Sequence, residues 1–136
     1  MAQTDSKQPG VMLPAFGIIE SERVLALSEL FAVVKDKFPV TEGHSLIIPR
    51  RAVSRFAELS AAEKSDLLEL VEWTERYLEA TLMPAPEGFN LGINDGPVAG
   101  QTIPQFHFHV IPRRKGDVTD SRGGVRCVVP DKAKYW

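Results

Sequence analysis

Polar and apolar residues alternate from Gln105 to Ile111. Gln105, His107 and His109 fall on one side; Phe106, Phe108 and Val110 fall on the other. A period of two predicts a β-strand with one buried face. Shorter apolar runs predict further strands. Phe16 to Glu20 reads as one. Val24 to Lys35 holds two runs broken at Ser28-Glu29, and Phe31 to Lys35 is the firmer of them. Ser45 to Ile48 is a strand ended by Pro49, Phe89 to Asn94 is another, and Val125 to Val129 is the last. Pro39 to Gly43, the turn-rich Asp95 to Gly100 and the polar Arg113 to Gly124 connect them.

One long helix is marked at both ends. Ser60-Ala61-Ala62-Glu63 has the capping-box form, in which each side chain satisfies a backbone donor at a helix start. Leu67, Leu68, Val71, Thr74, Leu78 and Leu82 follow at helical spacing, and Pro84 and Pro86 stop the helix. Its other face carries Glu63, Asp66, Glu69, Glu72, Glu75 and Glu79, the pattern of a solvated surface. Trp73 and Tyr77 suit either the core or a partner subunit. Val53 to Glu58 reads as a single helical turn. These elements predict an α+β domain: a mostly antiparallel sheet of about five strands with one long helix and a short one. Residues 1–14 read as a tail, polar over Met1 to Gly10, and 15–136 as one domain.

Composition narrows the class. At 136 residues, 43% hydrophobic and 25% charged, the chain suits one globular domain. The lone Cys127 excludes an internal disulfide framework and suits a reducing compartment. No apolar run approaches the roughly 18 residues of a membrane span, and the first residues lack a signal peptide's apolar stretch. The expected location is the cytoplasm, with no membrane partner. A net charge of −2 gives no overall pull toward nucleic acid. From Pro112 onward, however, seven Lys or Arg stand against three acids, and Arg50 and Arg51 follow the strand that begins after His44. Such a rim near the histidines suits an anionic substrate, or is ordinary surface charge.

Two of the three histidines share one strand face. An imidazole whose one nitrogen is pinned by a hydrogen bond keeps a lone pair on the other. It can then attack phosphorus and form a phosphoramidate, while a neighbouring imidazole donates to a phosphate oxygen. Asn94, Gln101 and Thr102 add uncharged donors upstream, and Gly100 permits close backbone approach. The same pair could instead be satisfied structural histidines. With His44, it could also supply the three nitrogens of a metal site.

The segment from Gly92 to Arg113, ending Gln105-Phe-His107-Phe-His109-Val-Ile-Pro-Arg113, resembles the signature of the histidine triad (HIT) family, His-x-His-x-His followed by two apolar residues and Pro-Arg. Asp36 to Pro49, with a polar residue eight positions before Gly43-His44, is also similar. The tail from Arg122 to Tyr135 is similar to that of bacterial members of the dinucleoside polyphosphate hydrolase branch. The resemblance implies a nucleotidyl hydrolase or transferase acting on dinucleoside polyphosphates or nucleoside phosphoramidates. It makes His107 the nucleophile, His109 a phosphate contact, His44 a support for the triad and Asp36 the ribose site. Asn94 and Thr102 lie near the phosphates and leaving group, with Gln101 beside them. It implies a homodimer and no protein-bound metal or cofactor; Mg²⁺ would arrive only with the substrate.

The chain departs from the pattern at Gln105, where the first triad histidine is expected. Its backbone carbonyl can still pin the central imidazole, but an amide cannot take up a proton. The expectation is that hydrolysis persists, with Gln105 setting its rate or its leaving-group preference. Two alternatives stay open: a nucleotide-binding module with little turnover, and a metal-dependent hydrolase using His44, His107 and His109.

Overall fold

The computed structural model describes residues 10–136; positions 1–9 of the tail expected over 1–14 lie outside the described residues. Strands β1 (Val11–Leu13) and β2 (Gly17–Ile19) form a small antiparallel hairpin. Strands β3 (Val24–Leu27), β4 (Phe31–Lys35), β5 (Ser45–Pro49), β6 (Gly88–Gly92) and β7 (Phe108–Arg113) form a five-stranded sheet in the order β3-β4-β5-β7-β6, antiparallel throughout. The one long helix, α1 (Ala61–Thr81), lies between β5 and β6 in sequence.

Both faces of the sheet centre are covered, which is why β4 and β5 read as unbroken apolar runs. Phe31, Val33, Ile47 and Val110 face α1 and meet Leu67, Leu70 and Leu78. Ala32, Val34, Leu46 and Ile48 face the other way and meet Leu13 and Ile19 of the hairpin. The hairpin therefore completes a second core. Its first strand falls within the span read as a tail, where Leu13 is fully buried.

Helix α1 starts as its capping box predicts: the Ser60 hydroxyl accepts the Glu63 N–H, and Glu63 accepts the Ser60 N–H. Its buried face is Glu63, Leu67, Leu70, Thr74 and Leu78. Leu68, expected on that face, is 73% exposed. Glu63, expected in solvent, is buried against Arg51 at 2.7 Å. Trp73 and Tyr77 stack on each other, centroids 5.0 Å apart.

Three other elements differ from expectation. Val125 to Val129 is not a strand; Gly124–Val128 is a 3-10 turn. Gly123 and Gly124 enter it at φ 95° and 49°, Pro130 follows it, and its bonds run from Arg126 N–H to Gly123 and from Val129 N–H to Arg126. The histidine strand pairs only from Phe108 onward, with Gln105 to His107 forming its approach. The helical turn near Val53 narrows to a 3-10 turn at Phe56–Glu58.

Candidate functional site

Register brings the histidines together. His44 immediately precedes β5, and Leu46 pairs with His109 on β7. His107, two residues earlier, lies on the same side, its ring centroid 5.1 Å from that of His109. The His44 and His109 rings are 5.2 Å apart. This is the hairpin face, and Phe16 at the hairpin turn meets the His107 ring edge-on at 5.3 Å. Sequence reading missed Phe16, because nothing in its local pattern signals that contact.

The hydrogen bonds fix where each ring proton sits. Val40 N–H donates to His44 Nδ1 at 3.1 Å, so the proton of neutral His44 is on Nε2. That Nε2–H faces His109 Nδ1 at 2.9 Å, with Asp36 Oδ2 at 3.3 Å. His109 Nδ1 thus accepts, and its own proton is on Nε2. His109 Nε2 is buried and meets no hydrogen-bond partner among the described residues. An unpaired buried donor is costly, so this N–H is suited to an incoming acceptor. His107 has the opposite tautomer. Its Nδ1 is 2.8 Å from the Gln105 carbonyl, which can only accept, so Nε2 keeps the lone pair.

Electrostatics favours neutral rings. Burial lowers the His44 pKa, partly offset by Asp36. Burial first, then the neighbouring His107 and His44, push His109 down to about 4. At neutral pH His109 is thus an uncharged donor, with the His107 ring beside it. A cavity of about 460 Å³ is lined by Val40, Thr41, Ile111 and Val125 together with Arg113 and Asp117, and none of the three histidines lines it. That is within the size range of small-ligand sites.

The remaining candidates are placed differently. Asp36 Oδ1 accepts the Phe38 N–H at 2.8 Å, so this carboxylate also holds the turn before His44. Asn94 and Thr102 are exposed on the connection between β6 and β7, with Asn94 against Gly100. The Gln101 amide is engaged with the protein itself: it accepts from Gly96 N–H and donates to the Ser54 carbonyl. The Gln105 side chain does not sit beside His44; it bonds the backbone of Pro49, Arg51 and Val53. Three cations of the basic rim are paired with acids: Arg51 with Glu63, Arg113 with Asp117 and Arg122 with Asp120. Arg114 bonds the Pro84 carbonyl and keeps its charge.

The metal-ligand set of His44, His107 and His109 is not assembled. The donors that converge are those of Asp36, His44 and His109, within 4.8 Å of one another. The Val40 bond places a proton on His44 Nε2, where a metal would need the lone pair, so this group fits a hydrogen-bonded cluster better than a metal centre.

Comparison with known proteins bears on the same residues. The family model "HIT domain" matches residues 18–116, more than half of the chain. A Schizosaccharomyces pombe protein named bis(5'-nucleosyl)-tetraphosphatase (asymmetrical) is 36% identical over 99 residues, 73% of this chain and 53% of its own length. An Arabidopsis thaliana protein named bifunctional bis(5'-adenosyl)-triphosphatase/adenylylsulfatase FHIT is also 36% identical over 99 residues, 73% of this chain and 54% of its own. The chain thus spans about half the length of these curated relatives. The crystal structure of the Caenorhabditis elegans NitFhit protein superposes with a TM-score of 0.74 at 28% identity, covering 97% of this chain and 30% of that one.

Proposed function

The chain belongs to the HIT-domain family, and on that premise we propose that it cleaves a nucleoside phosphate derivative through a covalent nucleotidyl-His107. One observation carries the reading: the His107 Nε2 lone pair and the partnerless His109 Nε2–H share one sheet face. His107 Nε2 attacks the α-phosphorus, and the bond to the leaving oxygen breaks with its electron pair. The Gln105 carbonyl continues to accept the Nδ1–H as the ring becomes cationic. His109 donates to a phosphate oxygen where charge grows. Water then displaces His107 and releases a nucleoside monophosphate.

The substrate class follows relatives whose names specify dinucleoside polyphosphates, with nucleoside phosphoramidates as the second class to test. Asp36 serves the ribose, and Asn94 and Thr102 serve the phosphates, with Gln101 holding their loop. This reading extends to the bacterial dinucleoside polyphosphate hydrolase branch, whose members the tail from Arg122 to Tyr135 resembles, with Gln105 at the first triad position. No protein-bound cofactor takes part. A homodimer is part of this reading, with the stacked Trp73 and Tyr77 on α1 available to a second copy. The exposed Cys127 thiol suits a cytoplasmic setting, and no helix among the described residues is long and apolar enough to cross a membrane.

The test uses metal-stripped protein and a diadenosine polyphosphate, reading nucleotide release and intact mass. Turnover without metal, a transient adduct of one nucleotide, and loss of both in His107→Asn are expected. Tight binding without turnover would instead establish a binding module. Activity restored only by zinc would establish a metal enzyme.

A further inference from the structure

Gln105 takes no part in the bond-making steps through its side chain, yet that side chain is 1% exposed and fully engaged. Its amide oxygen accepts the Val53 N–H at 3.0 Å. Its amide nitrogen donates to the Pro49 carbonyl at 3.0 Å and to the Arg51 carbonyl at 2.8 Å. The next residue adds a bond from Phe106 N–H to the Val53 carbonyl at 2.7 Å. These bonds fasten the approach to β7 onto residues 49–53. That segment is fastened in turn to the helix start. The Arg51 guanidinium meets the Glu63 carboxylate at 2.7 and 3.1 Å and the Glu58 carbonyl at 2.9 Å. Glu63 is 3% exposed and closes the capping box of α1.

The other side of Gln105 faces the histidines, because its carbonyl accepts the His107 Nδ1–H. Sheet pairing begins only at Phe108, so no ladder bond restrains that carbonyl. We propose that the Gln105 side chain, backed by the Arg51–Glu63 ion pair, is a positioning device that holds this carbonyl and thereby fixes the tautomer of His107. A neutral imidazole free of such a partner favours its proton on Nε2, which would remove the attacking lone pair. The kinetic consequence rests on the proposed role of His107; the tautomer consequence does not.

The experiment reads both. Protein labelled with ¹⁵N-histidine gives the ring tautomer of His107 by long-range ¹H–¹⁵N correlation, and steady-state kinetics with a diadenosine polyphosphate gives kcat and KM. Gln105→Met keeps length without hydrogen bonds, and Arg51→Met removes the backing ion pair. Both are expected to bring in the Nε2–H form of His107. In both, kcat should fall at least ~tenfold with KM within about twofold, since a mispositioned histidine tautomer costs about 10⁴ in a serine protease triad. Arg51→Lys, which keeps the ion pair, should recover most of the loss. Should Gln105→Met fail to fold, Arg51→Met carries the test, its side chain being 55% exposed. Folded variants with an unchanged Nδ1–H signal and wild-type kcat would overturn the proposal. Wild-type protein that shows the Nδ1–H form but no turnover would remove the enzymatic reading and leave this one standing.

Discussion

Three imidazoles here have three different jobs because three different neighbours fix their protons. A backbone N–H faces His44, an imidazole N–H faces His109, and a carbonyl faces His107. Sequence spacing shows that His107 and His109 share a strand face, and the resemblance brings in His44. The Val40 N–H that starts the relay is not legible, since it depends on the path of a turn rather than on any side chain. Nor is the destination of the Gln105 side chain. As a triad position it invites replacement by histidine, with a faster enzyme as the simple expectation. The geometry argues otherwise. The amide serves two acceptors and one donor of the backbone, whereas a neutral imidazole can serve only one of each. Gln105→His should therefore leave one buried backbone group unpaired, at about 1–3 kcal/mol, without raising kcat. Urea denaturation and initial rates on one preparation decide the matter; a stable and faster variant would refute it.

Elements were legible where the local pattern and the packing agree, as in the capping box, the break at Ser28-Glu29, and the paired strands β4 and β5. They were not legible where tertiary partners decide. Val125 to Val129 has strand composition, but left-handed glycines before it and a proline after it close the backbone into a 3-10 turn. Val11–Leu13 is too short to show periodicity and is a strand only because Gly17–Ile19 folds back on it. Within α1 the leucines alone do not define the buried face, since Leu67, Leu68 and Leu70 are all good candidates. Burial assigns it: Leu70 is 1% exposed and Leu68 73%. Leu70→Ala should cost about 2–5 kcal/mol, as for a buried leucine, and Leu68→Ala under about 0.5 kcal/mol. Thermal melts of the two variants give the comparison, and equal losses would mean that Leu68 is covered in the assembled protein.

For the molecule as a whole, the buried histidines and the paired acids push stability in the same direction with pH. Glu63 is held at about 2, first by the Arg51 hydrogen bond. Asp117 is lowered by Arg113, Asp120 by Arg122, Asp95 by the Phe56 N–H and Glu58 by the Arg55 N–H. Each such carboxylate contributes stability that is present above its unfolded pKa and is lost as pH falls through the folded value. His44 and His109 are lowered from 6.5 by burial, so between 6.5 and about 4 the unfolded chain binds protons that folded His109 does not. Stability must then fall as pH drops through that window too. Glu75 opposes the trend, raised by burial and then by Glu79 and Glu72, but it is one group against seven. The expected profile climbs from pH 2 to about 6.5, steeply at first where the carboxylates titrate and then more gently through the histidine window, and is flat from there to pH 8. Urea midpoints measured at half-unit steps would trace it. A maximum at the isoelectric point near 5.9, followed by a decline, would show that net charge rather than these specific pairings governs stability. His109→Gln separates the two sources, because it should make the upper limb shallower, down to the share that His44 contributes, while leaving the lower one in place.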